Sequence, residues 1–259
     1  MSYKYINIET DGHVATLTID RPDALNALND ELIAEMQKWL RSVWFDDTLR
    51  VIVVTGAGKA FVSGADIAEL ATMGVQDGMR KSAIGQYLMK SFENVPKVTI
   101  AAVNGFCFGG GMELALACDI RLASDKARMG LPEVKLGIIP GYGGTQRLPR
   151  LIGAGRAKQM IFTGEFYKAE QCLEFGIVQE VYPHDELLAK AKEMAKVIAS
   201  RGPLAIKAAK ECVNRGLDMP LSNGADFEKL SFGAIAASAD MKEGLNAFLE
   251  KRDAVFKNE

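Results

Sequence analysis

Histidine and cysteine are scarce in this 259-residue chain, and their scarcity excludes several kinds of site. The two histidines, His13 and His184, stand at a turn and beside an aspartate, so neither a Ser-His-Asp triad nor a histidine-rich metal site is expected. The four cysteines form no CxxC pair and have apolar neighbours, which indicates reduced core thiols in a cytoplasmic protein. The sequence therefore predicts neither a metal site nor a disulfide framework.

Long runs of one chemical character are also missing. No Lys/Arg block stands out and the net charge is −2, which argues against a nucleic-acid-binding protein. The first residues lack the apolar segment of a secretory signal. The one stretch that resembles a membrane span, Val98–Cys118, contains Asn104 and Glu113, and a carboxylate at the centre of a bilayer is costly. We therefore expect no nucleic-acid partner and no membrane span.

Glycine turns are present, but the nucleotide-binding motifs that are built on glycine are not. The segments that start at Gly109 and Gly141 lack the last glycine of GxGxxG, and Gly58-Lys59 is not followed by Ser or Thr as in a P-loop. No GxSxG nucleophile elbow occurs. Neither a dinucleotide nor a nucleoside triphosphate site is predicted.

The apolar pattern predicts an α/β core followed by a helical C-terminal part. Strand–strand–helix units recur at Tyr5–Phe45, Val51–Asn94 and Val98–Cys118, and within the second unit Thr72–Asn94 is predicted to be a polar surface helix. After residue 200 no strand pattern remains, and helices are predicted at Leu204–Arg215, Gly224–Ala237 and Lys242–Phe256. We therefore predict a core of residues 1–200 with residues 201–259 docked on it as helices.

Two glutamates stand among apolar residues directly after turns. Glu113 lies in the first turn of a helix that follows Gly109-Gly110-Gly111, and Glu133 follows Leu131-Pro132. Burial raises the pKa of a carboxyl group, and two carboxyl groups that share a site raise one pKa further. Such a pair can hold one proton and one water, so that one group acts as base and the other as acid near neutral pH. The alternative is that both are surface acids in helix caps or salt bridges.

Two glycine-containing turns are candidate anion sites. The N–H of Gly110 stands at a helix N-terminus, where backbone donors and the helix dipole favour an anion. The Gly64-Ala65 turn can supply a second donor, although an ordinary strand-to-helix turn would have the same small residues. Together with the acids, these turns predict proton transfer next to a carbonyl group with water present, and they leave the substrate open.

The sequence resembles the crotonase family of enoyl-CoA hydratases and isomerases across nearly its whole length. The resemblance is carried by the segments RPDALNALN, SGADI, IAAVNGFCFGGGMELALACDIRLAS, GLPEVKLGIIPGYGGTQRLPRLIG and AFLEKRDAVFKN. It implies an α/β fold, a spiral of ββα units, with a helical C-terminal region used in trimerisation. The family usually forms a homotrimer or a homohexamer made of two trimers. It also implies an acyl-CoA thioester as substrate and no separate cofactor.

The resemblance further implies a role for single residues. Glu113 would activate the water as a base, Glu133 would give a proton to the α-carbon, and Ala65 and Gly110 would donate their N–H groups to the thioester oxygen. The CoA moiety would be held by residues of a loop and a turn, namely Asp23, Ala24, Leu25, Ser63, Gly64, Asp66 and Ile67. Two residues would act on the site of a neighbouring subunit, namely Lys251 at the CoA phosphates and Phe232 at the acyl pocket.

The presence of both acids favours a hydratase, with reversible syn addition of water to a short trans-2-enoyl-CoA such as crotonyl-CoA. One segment departs from the family pattern, because Met129–Glu133 reads MGLPE where many short-chain hydratases have FGQPE, and this leaves the acyl preference open. The alternatives in the same family are a Δ3-Δ2 enoyl-CoA isomerase and a hydratase of a cyclic acyl-CoA or of acryloyl-CoA. A non-catalytic relative that binds CoA or RNA is the alternative from another class.

Overall fold

A computed structural model describes residues 3–71 and 73–259, which form ten strands and eleven α-helices. The strands are β1 (Ile6–Asp11), β2 (Val14–Ile19), β3 (Val51–Gly56), β4 (Ala60–Val62), β5 (Val98–Val103), β6 (Phe106–Phe108), β7 (Ile120–Ser124), β8 (Arg128–Gly130), β9 (Tyr167–Lys168) and β10 (Glu180–Tyr182). The helices are α1 (Asp30–Val43), α2 (Ile67–Leu70), α3 (Val75–Asn94), α4 (Gly110–Ala117), α5 (Gly144–Ile152), α6 (Ala154–Thr163), α7 (Ala169–Glu174), α8 (Leu187–Ala199), α9 (Pro203–Gly216), α10 (Leu221–Ile235) and α11 (Ala239–Glu250).

Two sheets divide the strands between them. The larger sheet has the order β1-β2-β3-β5-β7-β10, with β1 and β2 antiparallel and the other pairs parallel. The smaller sheet has the order β4-β6-β8-β9, in which β4, β6 and β8 run parallel. Three pairs of strands that are consecutive in the chain, β3–β4, β5–β6 and β7–β8, each contribute one strand to each sheet. This alternation is the repeated ββα arrangement that the sequence predicted.

Burial explains which segments became the central strands. Every residue of β3 and β5 is buried, because the two faces of the sheet pack against different apolar clusters, and strands of this kind read as continuous apolar runs. One cluster includes the apolar face of α1, and the other includes α8. All eight residues of α4 are buried as well, so this helix enters the centre of the molecule with its glycine-rich end first.

The predicted elements are mostly confirmed. The sequence pattern predicts a hairpin at Tyr5–Thr10 and Val14–Asp20, buried strands at Val51–Thr55 and Val98–Val103, and a helix that is capped by Asn29 or Asp30 and ends near Phe45. The β1–β2 hairpin, β3, β5 and α1 lie within a residue or two of these bounds, and Asn29 is the cap. Helix α3 starts at Val75, and the predicted first residue of that helix, Thr72, lies outside the described residues. Strands β4, β6 and β9 were not predicted, since two or three residues are too few to show an alternating pattern.

The predicted last helix, Lys242–Phe256, is present, but its predicted end was wrong. Helix α11 starts at Ala239 and ends at Glu250, because Lys251 has a left-handed backbone (φ 58°). The chain then folds back, so that the N–H groups of Lys257 and Asn258 donate to the carboxylate of Asp240 at 2.7 and 3.0 Å. These tertiary hydrogen bonds replace the helical ones that a continuing apolar pattern would favour.

No helix in residues 3–71 and 73–259 is long and apolar enough to cross a membrane. The strongest candidate of the sequence, Val98–Cys118, is divided between β5, β6 and α4. The glycines in that stretch allow the two turns between these elements. Within the described residues, the prediction that this stretch is a strand–turn–helix unit is therefore confirmed.

Candidate active site

Glu113 is held at the buried start of α4. Gly109 has a φ of 51°, a left-handed conformation that favours glycine, and it turns the chain from β6 into the helix. The side chain of Glu113 is 1% exposed. Its Oε1 accepts hydrogen bonds from the backbone N–H groups of Tyr142 at 2.8 Å and Gly144 at 2.7 Å. Two donors on one oxygen fix the orientation of the carboxyl group.

Glu133 lies opposite the same glycine turn. It begins a short 3-10 helix, Glu133–Leu136, and is 9% exposed. A Cβ atom placed on Gly109 would lie 3.0 Å from Glu133 Oε1, so the carboxyl group packs directly on the backbone that leads into α4. Glu133 Oε2 is buried and has no hydrogen-bond partner among the described residues. A buried polar atom without a partner is uncommon outside functional sites.

Both carboxyl groups have raised pKa values. Burial raises the pKa of Glu113 from 4.5 to about 7, although the backbone N–H groups of Gly144 and Tyr142 favour its charged form. Burial also raises the pKa of Glu133 to about 7, and the negative charge of Glu113 adds to this rise. Two such groups titrate as a pair, so that near neutral pH the pair holds about one proton. One acid and one base are then available in the same site.

The raised pKa values predict how stability depends on pH. Because the folded chain binds these protons more tightly than the unfolded chain, the free energy of unfolding falls as pH rises from 4.5 to about 7. We expect Glu133→Gln to be more stable than the wild type at pH 8, by about 1–3 kcal/mol. Urea unfolding of both proteins at pH 8 and pH 5 measures this. A difference that grows at pH 5 would contradict it.

The two candidate anion-binding N–H groups lie on neighbouring turns. Ala65 forms a β-bridge with Leu28, in which Gly64 O and Asp66 N make the hydrogen bonds to Leu28, so the N–H of Ala65 points away from that partner. The N–H of Gly110 is in the first turn of α4 and has no intrahelical acceptor. Gly64 Cα lies 3.7 Å from a Cβ placed on Gly109, which puts the two turns side by side.

The predicted CoA-binding residues of the Asp23–Leu25 loop and of the turn at residues 63–67 lie side by side next to the glycine turns. Ser63 N–H donates to Leu25 O at 3.1 Å, which joins the loop of Asp23–Leu25 to the turn of residues 63–66. Asp66 caps α2 and forms a salt bridge of 2.8 Å with Arg21. Leu25 and Ile67 are exposed apolar side chains at this surface. The structure therefore brings together every predicted CoA-binding residue except Lys251.

Lys251 and Phe232 lie on the C-terminal helices. Phe232 is 70% exposed on α10, which packs against α9, whereas Glu113 on α4 lies beside α5. Lys251 is exposed at the end of α11. Their predicted role at the site of a neighbouring subunit stays a prediction.

Two features of the site were not predicted from the sequence. Asn26 is fully buried, and its side chain accepts from Arg21 N–H and donates to Ala57 O and Ala60 O, which fixes the loop of Asp23–Leu25. The glycine turn at residues 141–144, before α5, was recognised in the sequence, but the hydrogen bonds from this turn to Glu113 were not predicted. For the first feature a weak signal was present in the sequence, because the segment DALNALN places Asn26 directly after the Asp23–Leu25 loop. No local pattern indicates the second.

Other possible sites are separate from the acid pair. Among the described residues, no group of three or more His, Cys, Asp or Glu side chains is arranged to hold a metal ion. A cavity of about 850 Å³ opens between the ends of α1 and α3 and helix α9, where Trp44, Asn94 and Lys210 contribute to its lining. Neither Glu113 nor Glu133 lines this cavity.

Known proteins match this chain over nearly its full length. A family model described as enoyl-CoA hydratase/isomerase matches residues 9–259. The short-chain-enoyl-CoA hydratase of Clostridium acetobutylicum is 44% identical over 97% of both chains, and the crotonyl-CoA hydratase of Syntrophomonas wolfei is 42% identical over 99% of both. A crystal structure of an enoyl-CoA hydratase from Bacillus anthracis superimposes with a TM-score of 0.96 at 41% identity, covering 99% of this chain and 100% of that one. Sequence, fold and site geometry agree, and the chain belongs to the enoyl-CoA hydratase/isomerase family.

Proposed function

We propose that this protein is an enoyl-CoA hydratase, which adds water reversibly and in the syn sense to a trans-2-enoyl-CoA to form a 3-hydroxyacyl-CoA. The observation that carries the proposal is the buried pair Glu113 and Glu133, both with a pKa of about 7, next to the two anion-binding turns. The names of the relatives from C. acetobutylicum and S. wolfei support a short acyl chain such as crotonyl.

The thioester oxygen of the substrate binds to the N–H groups of Ala65 and Gly110. These donors are preorganised by the backbone, so they need no reorganisation when negative charge develops on the oxygen. The dipole of α4 contributes at the Gly110 end, because the helix N-terminus favours negative charge. The thioester is thereby polarised, and its conjugated β-carbon becomes electrophilic.

Water adds to the β-carbon between the two carboxyl groups. Glu113 takes one proton from the water, and the water oxygen forms the new bond to the β-carbon. The π electrons of the double bond move onto the thioester, whose oxygen becomes enolate-like in the anion site. As the carbonyl re-forms, Glu133 gives its proton to the α-carbon. Transfer of one proton from Glu113 to Glu133 through an incoming water restores the starting state. Dehydration follows the same steps in reverse.

The hydrogen-bond partners of the acids support this division of roles. Glu113 Oε1 accepts two backbone N–H groups, and such bonds stabilise the ionised form that a base requires. Glu133 Oε2 has no partner among the described residues, and burial together with the nearby charge of Glu113 favours the protonated form of Glu133. The shared proton is therefore held by Glu133.

The CoA moiety lies along the surface region of Leu25 and Ile67, and no separate cofactor is needed because the chemistry uses only the two acids and the backbone donors. Seven residues of this chain hold it, namely Asp23, Ala24, Leu25, Ser63, Gly64, Asp66 and Ile67. Lys251 and Phe232 complete the site of a neighbouring subunit.

The protein assembles as a homotrimer or as two such trimers. Residues 1–200 form the catalytic core, and residues 201–259 form the oligomerisation region. Helices α9 to α11 support this, because they expose large apolar side chains, among them Val213, Leu217, Leu230, Phe232, Phe248 and Leu249. The protein acts in the cytoplasm, in keeping with its free cysteines, three of which are buried.

The conjugated-enoyl absorbance of crotonyl-CoA in water tests the proposal. We expect rapid loss of this absorbance with the wild-type protein and formation of 3-hydroxybutyryl-CoA. A 3-enoyl-CoA and cyclohexenoyl-CoA are assayed in parallel. If crotonyl-CoA is not hydrated, turnover of the 3-enoyl-CoA would assign the chain to the isomerases. Turnover of cyclohexenoyl-CoA would then assign it to the cyclic acyl-CoA hydratases. Tight CoA binding without turnover of any acyl-CoA would contradict an enzymatic role.

A further inference from the structure

The side chain of Tyr142 fills the space between α3 and the start of α4. It is 4% exposed, and its backbone N–H is one of the two donors to Glu113. One edge of its ring faces Gly110, with Cδ2 at 3.3 Å and Cε2 at 3.4 Å from a Cβ placed there. The other edge lies against Gly85 of α3, where an added Cβ would be 2.1 Å from Cδ1. The ring therefore requires glycine at position 85.

The hydroxyl group of Tyr142 contributes no hydrogen bond within the described residues. Its oxygen is buried and without a partner, although phenolic hydroxyls in protein interiors usually have one. Burial and the negative charges of Glu113, Asp30 and Glu69 raise the pKa of Tyr142, so the group stays neutral. A phenylalanine would fill the same space without an unpaired polar atom. The ring and not the hydroxyl group is thus the part of Tyr142 that shapes the site.

The ring of Tyr142 lies beside the turn that carries the Gly110 N–H group. A thioester oxygen on Gly110 N–H places the α- and β-carbons between Glu113 and Glu133. The CoA side of the site is occupied by Leu25 and Ile67, so the acyl chain continues in another direction. Beyond Gly110 and Glu113 the space is filled by Tyr142.

We infer that Tyr142 is a specificity-determining residue, whose ring, wedged against Gly85, ends the acyl site and restricts this protein to short straight-chain enoyl-CoA substrates. This inference rests on the proposed hydratase function. It names the side chain that excludes longer chains and the glycine that lets the side chain lie there. A hydrophobic wall discriminates through each added methylene, by about 10-fold or more where no space remains.

The test is hydration of a series of trans-2-enoyl-CoA substrates with four, six, eight and ten acyl carbons. For wild type, kcat/KM is expected to fall steeply with chain length. For Tyr142→Ala, the ratio of kcat/KM for the eight-carbon to the four-carbon substrate should rise at least about 10-fold. Tyr142→Phe should keep the wild-type ratio. Tyr87→Ala is the matched control, because Tyr87 is exposed on α3, the helix against which the ring of Tyr142 lies. Tyr142→Leu replaces Tyr142→Ala if the latter does not fold.

A second pair of variants tests the wedge itself. Gly85→Ala places a methyl group where the ring lies, so it should displace the ring and lower kcat/KM for the four-carbon substrate about 10-fold or more. In Gly85→Ala/Tyr142→Ala the clash is absent, and we expect most of that activity to return. Such coupling between the two positions is measured by a double-mutant cycle.

The outcomes separate the inference from the proposed function. A wild-type protein that hydrates no enoyl-CoA would overturn both. A wild-type protein that hydrates crotonyl-CoA, with Tyr142→Ala or Tyr142→Leu showing the same chain-length profile, would overturn the inference alone. Additive effects of Gly85→Ala and Tyr142→Ala would also overturn it, because the ring would then not depend on the glycine.

Discussion

Glu133→Gln is expected to lower kcat for hydration of crotonyl-CoA by about 10²–10⁴-fold, the usual contribution of a general acid or base. Glutamine keeps the shape of the side chain but cannot give a proton to the α-carbon. Because the carboxyl group is buried and Oε2 has no partner among the described residues, the replacement breaks no hydrogen bond at that oxygen. Activity should fall while the fold is kept and the stability at pH 8 rises, because the buried carboxylate charge is removed.

The matched control for this variant is Glu165→Gln. Glu165 is exposed and forms a salt bridge of 3.1 Å with Lys135, and exposed ion pairs contribute little to stability. Its replacement should leave kcat within about two-fold of wild type. Circular dichroism and urea unfolding of both variants establish that they are folded. Full hydratase activity in folded Glu133→Gln would exclude the role of Glu133 as the acid.

Gly111→Ala is expected to disrupt the site through the backbone. A Cβ on Gly111 would lie 2.0 Å from the carbonyl oxygen of Val62 and 2.7 Å from its Cβ. Val62 ends β4, three residues before Ala65, and Gly111 follows Gly110. The clash therefore forces apart the two segments that carry the proposed anion-binding N–H groups of Ala65 and Gly110. A backbone oxygen cannot rotate away as a flexible side chain can. We expect a loss of unfolding free energy of about 1–3 kcal/mol or more and a fall in kcat/KM of at least about 100-fold.

Gly155→Ala is the control for this prediction. Gly155 lies in α6 with no atom within 4 Å of an added Cβ, so alanine should be neutral or should stabilise the helix by up to about 1 kcal/mol. Urea unfolding midpoints and crotonyl-CoA assays are compared for wild type and both variants. Equal stability and activity of Gly111→Ala and wild type would mean that α4 does not need this close approach.

Much of the fold follows from local patterns. The buried runs of β3 and β5 and the capped amphipathic helix α1 are visible as residue types at fixed spacings, and each was predicted within a residue or two. The end of α11 was not predicted correctly, because the apolar spacing continues through Phe256. Its ring packs near Gly202 and Gly244, and Asp240 binds the backbone of the tail. Those partners are distant in the sequence, and a periodic pattern carries no information about them.

The candidate site also has some features that follow from local sequence and others that depend on tertiary packing. The sequence by itself singled out Glu113 and Glu133, the side chains proposed to carry the chemistry, and showed that Gly110 stands at a helix N-terminus. Glycine turns and apolar neighbours are local features, so they can be read from the sequence. Only the tertiary structure decided that Tyr142 and Gly144 hold the carboxyl group of Glu113 across 29 and 31 residues of chain, and that the ring of Tyr142 lies against Gly85 and Gly110. The physical reason is that hydrogen-bond partners, burial and pKa depend on which segments pack together, and this packing of α3, α4 and α5 is a property of the whole core.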